Sequence, residues 1–465
     1  MNKIKPDINT LFNPKSIAVI GASKRSDKLG FHVMKSLITG GYSGKIIPIN
    51  PKSKIIMGRE AFPSIKIIQD SIDMVIIVLP ADQAPDLLRE CAEKSVRGII
   101  MITAGFKEID DPAGAELHDE IASIANRAGM LVIGPNTFGI ANFHSNLNAS
   151  FSPELSSLKR GDISLVSQSG GISALISYMA MRMEMGFSKI VGLGNRLNVD
   201  FAQMVEYLMD DPNTGVIILY LEGIDEPRDL LQKADESRGK KPILVFKAGS
   251  AGIANQASLS HTGSLAGRNE IYYGAFRQNG MLCIDDMETL LDTARALVAC
   301  PIPEGPRVAI LSCQAGPAMV ATDHCDAHGL KIASFNNTTQ KKINEILPPL
   351  TLRTNPVDMG PAWYYPKAIK GIVQAVMEDT GIDGILFLMM LASANIDVVS
   401  SLTNFFNNYE QKKPVIACIQ SPPKIWDKQL KALEESRSLV NCPTPERAAK
   451  VIINLSRYGA MVTSQ

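Results

Sequence analysis

The chain has 465 residues, and its 47 basic and 47 acidic side chains cancel to a formal net charge of zero at pH 7. At ~100–200 residues per domain, this length predicts about three domains, each large enough to bury its own core. The balanced charge provides no basic surface, so neither nucleic acid nor an anionic membrane is expected as a partner.

Cysteine usage and hydropathy narrow the class of protein further. The seven cysteines are scattered, with no Cys-x-x-Cys pair and no metal-ligand spacing, which indicates reduced thiols and no metal site. The N-terminus lacks an apolar signal-peptide core, and no apolar run approaches the ~20 residues of a membrane span. We therefore expect a soluble, cytoplasmic protein.

The first part of the chain alternates short apolar strands with amphipathic helices. Helical spacing of Leu, Ile and Ala covers residues 82–94 and 111–128. Strands are predicted at residues 16–21, 46–50, 73–79, 98–103 and 131–133. Such alternation implies right-handed βαβ units around a parallel sheet. A polar stretch, 148–162, then interrupts the pattern.

The same pattern then starts twice more. One set of strands, closed by a helix at 287–298, is predicted at residues 163–167, 190–192, 216–221, 243–246 and 282–284. After a proline-rich linker at 300–306, a further set is predicted near residues 308–311, 385–388 and 415–419.

A weak internal repeat relates these last two parts. Residues 165–171 and 310–316 both read as a strand, a turn of small residues and the start of a helix. We therefore predict an α/β protein with parallel sheets. Its parts would be a Rossmann-like domain over 1–147, followed by two related flavodoxin-like domains over 148–300 and 305–465.

Turns that end the first set of strands have features of a ligand site. Gly21-Ala22-Ser23 leads from a strand toward a helix, whose first N–H groups can hold a phosphate. Lys52 follows the second strand, where an NAD site usually has an acidic residue, and suits the added phosphate of NADP or of coenzyme A. The next strands end in Pro80, in Thr103-Ala104-Gly105 and in Asn136. Each of these turns, taken singly, is also compatible with an ordinary loop that binds no ligand.

Two later turns are potential anion cradles. Ser167-Gln168-Ser169-Gly170-Gly171 begins the second predicted domain, and Gln314-Ala315-Gly316 repeats the arrangement in the third. Glycines allow close backbone approach, hydroxyls add donors, and the helix end contributes a positive potential worth ~0.3–1 kcal/mol.

His261 lies in a segment, 247–267, that consists mostly of Gly, Ala and Ser and follows an apolar strand-like run. We expect a mobile loop at the carboxyl end of a strand, where function concentrates in open α/β sheets. A neutral imidazole can attack phosphorus. Glu222, just past the preceding strand, could accept a hydrogen bond from the other ring nitrogen. Either residue alone is compatible with an ordinary loop position; with two anion cradles they favour phosphoryl transfer.

These segments together resemble the α subunit of nucleoside-diphosphate-forming acyl-CoA synthetases, in the succinyl-CoA synthetase superfamily. The resemblance covers nearly the whole chain and is carried by Ile133-Gly134-Pro135-Asn136, Ser167 to Gly171, Lys247-Ala248-Gly249 with Ser260-His261-Thr262-Gly263, and Asn355-Pro356-Val357-Asp358.

The resemblance implies a CoA-binding domain followed by two ligase-type domains. It implies that His261 is phosphorylated and steadied by Glu222, and that residues 167–171 and 314–316 begin two helices that converge on the phosphoryl group. More loosely, it assigns CoA contacts to Gly21, Ala22, Ser23, Lys52, Pro80, Thr103, Ala104, Gly105 and Asn136.

The implied reaction interconverts acyl-CoA, phosphate and ADP with the acid, CoA and ATP, through an acyl phosphate and a phosphohistidine. Acetate is the default acid, with branched-chain and aryl acids open. No ATP-grasp segment follows Ala460, so a β subunit would hold the nucleotide with magnesium, in a dimer of heterodimers.

Two other functions compete with this interpretation. A CoA-binding regulator or protein-acylation component built on the same domains would typically lack the phosphorylated histidine, whereas Ser260-His261-Thr262-Gly263 is intact here. An NADP-linked oxidoreductase is compatible with Lys52, but the chain has no full Gly-x-Gly-x-x-Gly fingerprint.

Overall fold

The computed structural model describes residues 7–249, 269–410, 412–436 and 439–463. The chain forms two compact units, Met1–Ile284 and Asp285–Gln465. The first unit contains two large sheets and a short two-stranded hairpin, and the second contains one large sheet.

The first sheet is parallel and has the strand order β2-β1-β5-β6-β7. Nearly every residue in its strands is buried, as expected for Val- and Ile-rich strands covered by helices on both faces. The strands are β1 (Ser16–Ile20), β2 (Lys45–Ile49), β5 (Met74–Ile77), β6 (Gly98–Met101) and β7 (Leu131–Ile133), with β3 (Ile55–Ile56) and β4 (Arg59–Glu60) in the separate hairpin. The helices are α1 (Asn9–Phe12), α2 (Leu29–Thr39), α3 (Ala84–Glu93) and α4 (Pro112–Ala128).

The second sheet has the order β14-β13-β12-β10-β11-β8-β9 and is mixed, because β8 pairs antiparallel with both β11 and β9. Its strands are β8 (Gly139–Asn142), β9 (Leu147–Ser150), β10 (Lys159–Ser167), β11 (Gly186–Gly192), β12 (Val216–Leu221), β13 (Ile243–Lys247) and β14 (Met281–Cys283). The helices are α5 (Gly170–Arg182), α6 (Phe201–Asp210), α7 (Pro227–Glu236) and α8 (Asn269–Gln278).

The sheet of the second unit is parallel, with the order β16-β15-β18-β19-β20 and β17 paired to β15. Its strands are β15 (Arg307–Ser312), β16 (Lys331–Ile332), β17 (Val357–Asp358), β18 (Gly384–Met390), β19 (Val415–Gln420) and β20 (Val440–Asn441). The helices are α9 (Met287–Ala299), α10 (Ala315–Ala327), α11 (Asn337–Ile346), α12 (Pro366–Met377), α13 (Ile396–Asn407), α14 (Asp427–Glu435) and α15 (Pro445–Thr463).

The predicted α/β class is confirmed, and each strand predicted from an apolar run is present with ends shifted by a few residues. The stretch 148–162, expected to be a break, instead contains the end of β9 and the start of β10. The three-domain division, with boundaries after residues 147 and 300, stays a prediction; β8 already belongs to the second sheet, and α9 to the second unit. None of the described helices has the length and apolar character needed to cross a membrane.

Candidate active site

A cleft of about 850 Å³ lies at the carboxyl ends of β1, β2, β5 and β6. It gathers residues from four chain segments that the sequence analysis selected for ligand binding. Those lining the cleft are Gly21, Ala22, Ser23, Lys52, Pro80, Thr103 and Ala104, whereas Gly105 and Asn136 are not among the lining residues.

Two glycines allow backbone segments to pack closely against each other at the wall of this cleft. Gly21 has φ +90°, and a Cβ there would lie 2.5 Å from the Val78 carbonyl oxygen. A Cβ on Gly30 would lie 2.0 Å from the carbonyl oxygen of Gly21. Helix α2 therefore starts against the end of β1, and its first residues, Leu29 and Gly30, line the cleft, where a helix N-terminus can stabilise an anion.

The second strand reaches the cleft through a fixed turn. The Asn50 side-chain amide donates to the Ala22 carbonyl at 2.8 Å, and its oxygen accepts from the Lys52 N–H at 2.8 Å. Lys52 is exposed at the rim of the cleft. Sequence reasoning missed Asp27, Lys28, Gly30, Ser64 and Glu90, which also line it. Only Gly30, in the first turn of α2, had a readable signal in the sequence.

The loop after β6 closes this end of the cleft. Thr103 donates through its hydroxyl to the Leu79 carbonyl at 2.7 Å. Asn136, in the left-handed region with φ +56°, donates its N–H to the Thr103 carbonyl at 2.7 Å. Asn136 therefore supports the predicted CoA loop from behind.

At the carboxyl end of β10, the predicted cradle 167–171 forms a hydrogen-bonded turn. The Ser167 hydroxyl donates to the Ser169 carbonyl at 2.9 Å and accepts from the Ser169 N–H at 3.2 Å. Ser169 caps α5, its hydroxyl accepting from the Ile172 N–H at 3.5 Å. Gly170 and Gly171 occupy the first turn of α5, with backbone open to an anion.

Gln168 links this turn to Glu222. Its side-chain oxygen accepts from the N–H groups of Glu222 at 2.9 Å and Gly223 at 3.1 Å. The half-buried Glu222 is thereby fixed beside the start of α5. The backbone of Glu222 and the cradle therefore meet at one end of the second sheet.

A buried lysine supports Glu222 from the neighbouring strand. Lys247 is 3% exposed and ends β13, paired with Leu221 of β12. Its ammonium donates to the carbonyl oxygens of Glu222 at 2.9 Å and Ala248 at 2.5 Å, and lies 5.1 Å from the Tyr272 ring centroid. Burial lowers the pKa of Lys247 from its ordinary value of 10.5.

His261 lies outside the described residues. The described chain stops at Gly249, which has φ +77° and directly follows β13, and resumes at α8. Because β13 pairs with β12, the segment that contains His261 leaves the sheet one strand away from Glu222. The contact between His261 and Glu222 stays a prediction.

The predicted cradle of the second unit has a similar backbone. The Ser312 hydroxyl donates to the Gln314 carbonyl at 2.6 Å, and the Gln314 side-chain oxygen accepts from the Met390 N–H at 3.1 Å. Gln314 precedes α10, whose first residues, Ala315 and Gly316, are exposed.

Asn355 holds the strands beside this second cradle. Its side-chain amide donates to the carbonyl oxygens of Val308 at 2.8 Å and Ala333 at 2.9 Å. Its side-chain oxygen accepts from the Ile310 N–H at 2.9 Å. The motif 355–358 therefore connects β15 to its neighbours.

Two parts of the chain match known protein families. Residues 15–142 match a CoA binding domain, and residues 160–297 match a succinyl-CoA ligase like flavodoxin domain. The chain is 40% identical over 352 residues to the α subunit of acetate–CoA ligase (ADP-forming) II from Pyrococcus furiosus, covering 76% of each chain. It is 35% identical to acetate–CoA ligase (ADP-forming) I from Archaeoglobus fulgidus over 96% of its own length, but spans only 63% of that relative.

A solved structure shows the same fold over nearly the whole chain. It is the dinucleotide-forming acetyl-coenzyme A synthetase 1 of Ca. Korarchaeum cryptofilum in complex with phosphate and ADP. It matches with a TM-score of 0.91 and 31% identity, covering 98% of both chains. On these grounds, the chain belongs to the α subunits of the ADP-forming acetate–CoA ligase family.

Proposed function

We propose that the chain is the α subunit of an ADP-forming acyl-CoA synthetase, with acetyl-CoA as its default substrate. It would interconvert acyl-CoA, phosphate and ADP with the carboxylic acid, CoA and ATP. The observation that carries this proposal is the pair of hydrogen bonds that the Gln168 side-chain oxygen accepts from the N–H groups of Glu222 and Gly223, which we term the Gln168 clamp. It fixes Glu222 beside a helix N-terminus, one strand from the segment that contains His261.

The cleft of the first sheet suits CoA. The start of α2 offers N–H groups to a pyrophosphate, and Lys52 stands at the rim where a further phosphate can be paired. An apolar wall that includes Pro80 is available to the adenine. The cleft has no acidic residue at the end of β2, where an NAD site usually has one.

The phosphoryl chemistry belongs to the second sheet. A phosphate oxygen attacks the thioester carbonyl carbon, the C–S bond breaks, and CoA leaves as the thiolate. One imidazole nitrogen of His261 then attacks phosphorus, the P–O bond to the acyl group breaks, and the acid leaves as its carboxylate. Glu222 would accept a hydrogen bond from the other ring nitrogen, and the Gly170 and Gly171 N–H groups would stabilise the phosphoryl oxygens.

The second half-reaction requires ADP. We place the nucleotide, with its magnesium, on a separate ATP-grasp β subunit in a dimer of heterodimers. The described residues of this chain contain no group of three His, Cys, Asp or Glu side chains that could hold a metal. The naming of the Pyrococcus furiosus relative as an α subunit supports a partner chain. The free cysteines support a reducing, cytoplasmic location.

Labelling with radioactive phosphate tests this function. The purified chain, incubated with acetyl-CoA and labelled phosphate, should form an acid-labile, alkali-stable phosphoprotein, and His261→Ala should abolish it. ADP-dependent release of the label should require the partner chain. CoA binding without any labelling would support the regulator instead, and sustained ATP formation by the isolated chain would refute the division between subunits.

Calorimetry tests the ligand of the first domain. CoA should bind more tightly than NADP, and Lys52→Ala should weaken CoA more than dephospho-CoA, by ~1–3 kcal/mol for a hydrogen bond to a charged group. Tighter binding of NADP would point to an oxidoreductase.

A further inference from the structure

Glu108 occupies a position in the first unit that neither the CoA contacts nor the phosphoryl chemistry explains. One carboxylate oxygen accepts from the Gly105 N–H at 2.6 Å. The other accepts from the Phe106 N–H at 3.1 Å and from the side-chain amide of Asn195 at 2.5 Å. A single carboxylate thus holds the loop after β6 in the first sheet and, at the same time, a residue of the second sheet.

Asn195 lies just after β11 and belongs to the support of the phosphoryl site. It is 8% exposed, and its N–H donates to the Pro135 carbonyl at 2.9 Å. Two residues earlier, the Leu193 N–H donates to the Ser167 carbonyl at 2.8 Å, directly beside Gln168. Hydrogen bonds therefore join the CoA loop to Asn195 through Glu108, and the short backbone segment 193–195 joins Asn195 to the turn that contains Gln168.

The loops that meet here cannot separate without losing close packing. Gly194 has φ +56°, and a Cβ there would lie 2.3 Å from the Pro135 carbonyl oxygen. Gly134 has φ +102°, and its Cβ would lie 2.5 Å from the Met101 carbonyl oxygen. The carboxylate is ionised: burial raises the pKa of Glu108, but the hydrogen bonds from Gly105, Asn195 and Phe106 outweigh burial and lower it overall.

We propose that Glu108 is a positioning residue for the thioester. It holds loop 103–105, which closes the CoA cleft, on Asn195 at the carboxyl end of the second sheet. This inference rests on the proposed function. Its consequence is specific: Glu108 should matter when CoA carries the acyl group to the phosphate, and not when a free acyl phosphate delivers the phosphoryl group to His261.

Two phosphoryl sources separate these steps in the full chain. Glu108→Gln replaces one of the two accepting oxygens with an NH2 group that cannot accept, so it should slow labelling from acetyl-CoA and phosphate roughly tenfold to a hundredfold, as expected for a lost hydrogen bond to a charged group. The KM for acetyl-CoA should change by less than about threefold, because the cleft residues outside this loop, such as Gly21, Lys52 and Pro80, are unaltered. Labelling from acetyl phosphate should keep its wild-type rate. Asp110→Asn, an exposed carboxylate-to-amide change in the same loop, should leave both reactions unchanged.

A double variant tests the bridge itself. Combining Glu108→Gln with Asn195→Asp reverses donor and acceptor and should recover part of the lost rate. Equal losses with both phosphoryl sources, or an unchanged rate with acetyl-CoA, would overturn the inference. Failure of the proposed function would give a different result, because the unmodified chain would then take no label from acetyl-CoA with phosphate or from acetyl phosphate. That result would also overturn the inference about Glu108.

Discussion

The two cradles, 167–171 in the first unit and 314–316 in the second, have similar backbone hydrogen bonds and differ in the side chains beside them. In both, a serine ends the strand that precedes the cradle, β10 or β15. Its hydroxyl donates to the carbonyl oxygen of the residue two positions later in the chain. In both, a glutamine side chain accepts backbone N–H groups from the neighbouring strand end. A helix then starts with small residues.

Strand register identifies the residues that differ. Ser167 pairs with Tyr220, and Ser312 pairs with Leu388, so Met390 occupies the position of Glu222. One strand further, Ile419 stands where the first unit has Lys247.

Two cradles with matching backbones therefore differ in the side chains beside them. The second cradle has Met390 and Ile419 at the positions where the first has the acidic Glu222 and the buried ammonium of Lys247. We therefore expect substitutions at matched positions to have unequal effects.

Gln168→Ala should have the largest effect. It leaves the N–H groups of Glu222 and Gly223 without their acceptor, at a cost of about 1–3 kcal/mol for each buried donor. The free energy of unfolding and the rate of phosphohistidine formation should both fall. Gln314→Ala removes one such acceptor and should cost about half as much by the same reasoning. Gln168→Glu keeps the acceptor and should largely restore both quantities; if it does not, the clamp is not the reason for the loss.

Glu222→Gln should slow labelling of His261 by roughly tenfold to a hundredfold, the equivalent of about 1.5–3 kcal/mol for a hydrogen bond to a charged group. CoA affinity, measured by calorimetry, should stay unchanged. Met390→Gln, at the matched position of the second unit, should not alter the labelling rate. Equal rates for the Glu222 variant and the unmodified chain would remove Glu222 from the mechanism.

Ser169→Ala should lower the free energy of unfolding by about 1 kcal/mol, because it deletes the N-cap of α5. Urea denaturation measures this loss. Gln314, the N-cap residue of α10, makes no side-chain cap hydrogen bond, so the second cradle has no equivalent hydrogen bond to lose. A Ser169 variant as stable as the unmodified chain would show that the long 3.5 Å contact contributes nothing.

Lys247 predicts a small pH dependence. Burial lowers its pKa in the folded chain below the ordinary value of 10.5, so the unfolded chain binds more protons in the window between the two values. Stability relative to Lys247→Met should therefore rise with pH as it approaches 10.5. Ile419→Met changes the matched position of the second unit and serves as the control. Its stability relative to the unmodified chain should not change with pH. Urea denaturation across this pH range measures the difference in stability between the unmodified chain and Lys247→Met. A difference that falls as the pH rises would contradict the burial of Lys247.

Sequence predicted the fold well where strands are continuous apolar runs, as in β1, β12 and β18. It missed the β8–β9 hairpin because buried polar side chains interrupt the apolar signal there. Asn142 donates to the Phe12 carbonyl at 3.0 Å, and Ser150 donates to the Asn148 side chain at 2.7 Å. Satisfied polar groups of this kind can be recognised only once their partners are placed.

The residues of the candidate site also form two groups, those that the sequence identifies locally and those that it does not. Turns such as 21–23 and 167–171 carry local sequence signals, and the structure brings them to strand ends as predicted. Glu108 and Lys247 were not assigned roles, because their functions depend on partners from other strands: Asn195 for one, and the backbone carbonyl of Glu222 for the other.

The central claim is that the phosphoryl group is accepted beside the first cradle and not beside the second. Mass spectrometric mapping of the chain after incubation with acetyl-CoA and phosphate, under conditions that preserve phosphohistidine, tests it most directly. The account predicts one modified peptide, the one that contains His261, and its absence in His261→Ala. A phosphoryl group on His324 or His328 of α10 and the turn after it, or label that persists in His261→Ala, would contradict it.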